Sequence, residues 1–132
     1  MDKMGKKTRD INFYSKKNQK LICVHNQESR EYAKILEDDP KVISYEACYK
    51  LDKERYQFVN PLDVRKDYFE VEWTSDFVLT FEDCSIGVRE VIKEYMLSKR
   101  ASIEKLEFSR RYWAASETAK NWKIVIMERK GE

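Results

Sequence analysis

The chain has 132 residues, enough for one domain with a sizeable core, and its 42% hydrophobic and 13% aromatic residues supply the material to fill one. Charged residues reach 38% but sum to a net charge of only +2, so the overall charge singles out no class of partner, while the aromatic content argues against a disordered chain. The three cysteines, Cys23, Cys48 and Cys84, are far apart and form no C-x-x-C pair, which suits reduced thiols in a cytoplasmic protein and speaks against a disulfide frame or a zinc site. No run of about 18 apolar residues predicts a membrane span, and no apolar segment follows the basic start as a signal peptide requires.

Residues 1–20 carry seven lysines and arginines against Asp2 and Asp10. They read as a basic arm, either drawn to polyanions through counterion release or simply solvated. From residue 21 onward a single domain is expected. Leu21-Ile22-Cys23-Val24 is a short apolar run, a strand or the lead-in to a helix. Tyr32, Ala33, Ile35 and Leu36 make a helical stripe that Pro40 ends. Residues 41–50 alternate as a strand, with Val42, Ser44, Glu46 and Cys48 on one side. The polar stretch 51–66, with Asn60-Pro61, predicts a loop. Residues 67–81 are rich in β-branched and aromatic types, Glu82-Asp83-Cys84-Ser85 predicts a tight turn, and 86–93 is the return strand of a hairpin. Ser102 is placed to cap a helix of roughly 15 residues, and 122–127 is a final strand. A helix between strands 86–93 and 122–127 is a right-handed crossover, so those two strands are expected to run parallel. The fold class is therefore α/β, a mixed sheet flanked by helices in the order α-β-β-β-α-β.

Hydrolysis of a phosphodiester needs neutralised phosphate charge, an activated water and an aligned leaving group. Magnesium held by oxygen ligands meets most of these needs, with a nearby lysine to stabilise developing charge. The hairpin offers such a set. Asp76 lies on its first strand and Glu90 on its second, each inside an otherwise apolar run. Either residue also fits an ordinary solvent-facing strand position. Glu28 and Glu31 open the first helix, where an acid favours the helix dipole or reaches over the sheet as a further carboxylate.

The run SDFVLTFEDCS-x4-EV-x-K, followed by SIEKLEFSRRYW and a closing WKIVI, resembles the N-terminal catalytic domain of TnsA-type transposase endonucleases. The upstream ESREYAKILEDDPKVISYE is similar to that family's first helix and strand, so the resemblance spans residues 21–127. It implies a restriction-endonuclease-like fold of the PD-(D/E)xK class, with Mg2+ or substituting Mn2+. It also implies a DDE-type transposase and an ATP-dependent regulator as partners, and cleavage of the 5′ strands at transposon ends. Carried over by position, Asp76 matches the central metal-binding aspartate, Glu90 the acid of the E-x-K element, and Glu28, with Glu31 as rival, the helix glutamate.

Two departures accompany the resemblance. Ile92 stands where the lysine is expected and Lys93 follows one residue later, on the opposite face of a regular strand. A bulge at Val91-Ile92, a substitute such as Lys105, or loss of cleavage would each account for this. Full-size family members also carry a C-terminal winged-helix domain beyond the region matched here. Lys99, Arg100, Lys105, Arg110 and Arg111 are candidates for DNA contact, the last two beside Tyr112 and Trp113. His25, the only histidine, is expected in a local structural role. A non-catalytic DNA-binding or assembly subunit and a related phage or repair nuclease are the rival readings.

Overall fold

The computed structural model describes residues 2–3 and 10–127. In chain order its elements are β1 (Asp2–Lys3), β2 (Ile11–Ser15), β3 (Lys20–Val24), α1 (Gln27–Asp38), β4 (Val42–Lys50), β5 (Trp73–Phe81), β6 (Ile86–Lys93), α2 (Arg100–Ser116) and β7 (Asn121–Met127). The fold is mixed α/β. β5 is central, antiparallel to β4 on one edge and to β6 on the other, with β1 pairing at Thr74 and Trp73. β6 and β7 run parallel from Gly87↔Asn121 to Lys93↔Met127, as the crossover through α2 predicts. No helix of the described residues is long and apolar enough to cross a membrane.

Two cores lie on opposite faces of this sheet. One holds Ala33 and Leu36 of α1 with Tyr45, Phe77 and Leu79. The other holds Phe108, Tyr112 and Trp113 of α2 with Trp73 and Val88. α1 starts at Asn26, whose side chain accepts from Ser29 N–H at 2.8 Å, a cap worth about 1 kcal/mol. It ends at Asp38, before Pro40. The expected turn forms between β5 and β6: Asp83 Oδ1 accepts from Ser85 N–H at 2.9 Å, and Cys84 takes the left-handed conformation at φ 69°.

Several expectations need correction. The basic arm is structured from Ile11 onward: β2 and β3 form a hairpin in which Ile22 and Val24 join the α1 core. Ser15 and Tyr45 hydroxyls and the Lys17 N–H donate to the Glu37 carboxylate, fastening the hairpin to α1 and β4. The lysine density of this segment hides the alternation of Ile11 and Phe13. Residues 4–9 of the arm lie outside the described residues.

The polar stretch 51–66 contains a 3-10 turn at Lys53–Phe58, and a second spans Lys66–Glu70. They form because Leu51, Tyr56, Val59 and Tyr68 anchor this stretch in the α2 core. The central strand consequently begins at Trp73, not at residue 67. In β4 a register shift between Val42 and Ser44 breaks the simple alternation, so Val42 and Tyr45 share the α1 core. α2 begins at Arg100, leaving Ser102 buried inside it instead of capping it. A 3-10 turn at Glu94–Ser98 leads into the helix, and the Lys99 carbonyl accepts from Ile103 N–H at 3.1 Å.

Candidate functional site

The sheet changes facing at one point. Ala47 and Phe77 pair across β4 and β5 and pack with the α1 core. Tyr49 and Ser75, the pair two residues along, lie with α2: Tyr49's ring centroid is 5.6 Å from that of Trp113, and Ser75 Oγ accepts from Trp113 Nε1–H at 2.9 Å. A regular strand would keep both pairs on one face. Between them Cys48 takes φ 52°, a conformation that costs a residue with a Cβ about 1 kcal/mol. The pairing of β5 with β6 also ends here, at Phe77↔Arg89.

Asp76 and Glu90 stand where the two strands part. Asp76 N–H donates to Glu90 Oε1 at 3.1 Å, and Val91 N–H donates to Asp76 Oδ2 at 2.7 Å. The two carboxylates thus accept from backbone donors of the facing strand. Glu90 is fully buried, and its Oε2 accepts from Ser75 Oγ at 2.6 Å and Ser109 Oγ at 2.5 Å. Trp113 Nε1 donates to Ser75 Oγ and Trp122 Nε1 to Ser109 Oγ, both at 2.9 Å. Two indoles therefore donate to two hydroxyls, and both hydroxyls donate to one carboxylate, a network that offsets the burial of its charge.

The β6–β7 register runs through residues 87–93 without a shift, so the bulge expected at Val91-Ile92 is absent. Regular alternation sends Glu90 toward Ser109 of α2 and Lys93 toward α1. There Lys93 Nζ lies 3.7 Å from Glu28 Oε1. Glu31 is engaged elsewhere, accepting from Gln27 Nε2 at 3.0 Å and pairing with Lys34 at 3.8 Å. Of the two helix glutamates, Glu28 is the one that meets the lysine.

Glu28 and Lys93 line a cavity of about 260 Å³, together with Val91, Tyr95, Ser102 and Lys105. Asp76 is not among the lining residues; it is buried and accepts from the amide of Val91, which is. Of the candidate DNA contacts, Lys105 reaches the cavity wall, and its Nζ lies 5.5 Å from the Trp73 ring centroid. Lys99 Nζ stands 5.9 Å and Lys93 Nζ 6.0 Å from the Tyr95 ring, a cationic pair flanking one exposed aromatic. Arg100 is exposed and approaches Glu104 at 3.8 Å.

Arg110 and Arg111 are not part of this group. They lie about 15 Å along α2 from its start, and both donate to Glu107, at 2.6 Å and 2.8 Å. Their bonds, Arg110's first, hold the Glu107 carboxyl down to about 2 despite the opposing effect of burial. Arg111 also donates to the carbonyls of Asn60 and Leu62, so it secures that loop to the helix. Tyr112 and Trp113 beside them are core residues.

Sequence reasoning passed over Ser75 and Ser109, which donate to the Glu90 carboxylate, Trp122, which donates to Ser109, and Tyr95, which lines the cavity. Ser102 and Ser109, seven positions apart on one face of α2, were the available signal.

As magnesium ligands, Asp76 and Glu28 are of the right chemistry. Mg2+ takes hard oxygen donors and commonly one or two carboxylates with waters and phosphate oxygens. Glu90 does not fit, because its oxygens already accept from two hydroxyls and an amide. Held by Asp76 and Glu28, such an ion would neutralise phosphate charge and lower the pKa of a coordinated water. Comparison with known proteins adds no relative: no protein-family model matches the chain, and no curated protein matches it significantly.

Proposed function

We propose that this chain is a restriction-endonuclease-like subunit of a transposase, acting on DNA in the cytoplasm with Mg2+ or Mn2+. A DDE-type transposase and an ATP-dependent regulator are its proposed partners, and 5′-strand cleavage at transposon ends its activity. The observation that carries this reading is the meeting of Glu28 and Lys93 at 3.7 Å, lining one cavity together with Val91. Asp76 holds that residue's amide. On this reading Asp76 and Glu28 would hold the metal, and Lys93, assisted by Lys105, would stabilise charge on the scissile phosphate. The acid-x-lysine frame then falls on Val91-Ile92-Lys93, with an apolar residue at its acidic position.

A second reading is favoured by that same valine and by the enclosure of Glu90: a subunit that binds DNA or assembles the complex without cutting. Calorimetry of Mn2+ with a short DNA duplex present, paired with nicking of supercoiled DNA, separates the two. The endonuclease reading expects one Mn2+ per chain, affinity reduced about tenfold or more in Glu28→Gln, and nicking lost in Lys93→Ala. DNA binding that ignores Mn2+, with no nicking when the transposase and regulator are supplied, leaves the non-cutting subunit. A chain that binds neither DNA nor Mn2+ overturns both.

A further inference from the structure

The β2–β3 hairpin gathers three side chains of a different chemistry. Its register pairs Ile11 with Val24 and Asn12 with Cys23, which sets Asp10 opposite His25 one step further on. Cys23 lies on β3 and His25 directly follows its last residue, Val24; both are only partly buried, unlike Ile22 and Val24 before and between them. Asp10 completes the group from the neighbouring chain segment, its Oδ1 lying 2.9 Å from His25 Nδ1. Ligand atoms of Asp10, Cys23 and His25 all lie within 4.8 Å of one another, the one such group of three among the described residues. The His25 and Asp10 side chains are 31% and 62% exposed, so an ion has access from solvent.

A carboxylate, a thiol and an imidazole together do not suit magnesium, which takes oxygen. They suit a borderline-soft ion of the zinc class, which accepts sulfur, nitrogen and oxygen in tetrahedral sites. Three protein donors leave one tetrahedral position for water or an exogenous ligand. We propose that the β2–β3 hairpin carries a zinc-class divalent cation site formed by Asp10, Cys23 and His25, with its fourth position open. The site is separate from the Glu28–Lys93 cavity and does not rest on the endonuclease reading. On binding, the Cys23 thiol gives its proton to the solvent as the sulfur–metal bond forms. His25, expected only to play a local structural part, and Cys23, assigned to no metal site for want of a C-x-x-C pair, thereby acquire a shared role. Strand pairing, not sequence spacing, brings them together.

Cobalt(II) serves as the spectroscopic probe, titrated into the full chain under a thiol-free reductant. A thiolate-to-cobalt charge-transfer band that saturates at one equivalent and that one equivalent of Zn2+ abolishes is expected. Cys23→Ser should remove the band, and His25→Gln and Asp10→Asn should each weaken binding about tenfold or more. Cys84→Ser should change nothing. Circular dichroism reports whether each variant keeps its fold. A second measurement needs no variant: saturating Zn2+ should slow alkylation of Cys23, read by peptide mass, and leave exposed Cys84 unaffected. Absence of the charge-transfer band in the native chain, its persistence in Cys23→Ser, or equal alkylation of Cys23 with and without Zn2+ would overturn the proposal.

Discussion

Lys93 Nζ and Glu28 Oε1 lie 3.7 Å apart, joining the last residue of β6 to the first turn of α1 in the lining of the cavity. The lysine side chain is 38% exposed and the glutamate 14%, so the pair is partly screened and contributes little to stability. Lys93→Ala should therefore leave the urea midpoint nearly unchanged while weakening DNA binding. The slope of log affinity against log salt should fall by about one, as loss of a single phosphate contact requires. Anisotropy of a labelled duplex over a salt series measures this. An unchanged slope would remove Lys93 from the DNA contact.

Glu90 gives the opposite pattern. Its carboxylate accepts from Ser75, Ser109 and the Asp76 amide inside the α2 face, so Glu90→Gln turns one acceptor into a donor facing donors. A loss of about 1–3 kcal/mol in urea unfolding is expected, with Mn2+ affinity unaltered. Normal stability together with lost Mn2+ binding would restore Glu90 to the metal site.

Gly87 is set by close approach. A Cβ there would meet Phe81 Cε2 at 2.6 Å and Asn121 Oδ1 at 2.7 Å. Asn121 cannot move freely, because its Oδ1 also accepts from Arg89 Nη1 at 2.7 Å. Gly87→Ala should cost about 1–3 kcal/mol, and Phe81→Leu in the same chain should recover part of that loss. Thermal unfolding of the two variants tests both statements.

Glu107 yields a pH dependence of stability. Arg110 and Arg111 lower its carboxyl from the ordinary 4.5 to about 2 in the folded chain. A depressed carboxyl stabilises the fold fully above its unfolded value, and that contribution disappears as pH falls toward the folded value. The difference in Tm between the native chain and Glu107→Gln should therefore be constant above about pH 5 and shrink steadily on acidification toward pH 2. A difference that stays flat through this window would rule out Glu107 as the titrating group.

Much of the architecture is legible in local chemistry. Pro40 marks the end of α1, the Asp83-to-Ser85 bond marks the turn, and the apolar runs on either side of α2 mark two parallel strands. Each of these depends on neighbours a few residues apart, so periodicity and turn residues suffice to find them. The choice between Glu28 and Glu31 does not, because both sit on the first turns of one helix and only the position of Lys93 distinguishes them.

The sequence by itself determined the order of helices and strands from α1 onward, the α/β class and the placing of Asp76 and Glu90 on facing strands. The tertiary structure alone decided which way those groups act. The strands part beyond Phe77↔Arg89, and Cys48 turns to φ 52° beside them. Unbroken alternation along β6 then sends Glu90 to the serines and indoles of the α2 side and Lys93 to Glu28 on the other. The same holds for Asp10, Cys23 and His25, which converge through the register of a hairpin whose first strand lies among lysines. A side chain's facing and its partners depend on strand pairing between distant residues, and no periodicity within one segment encodes that.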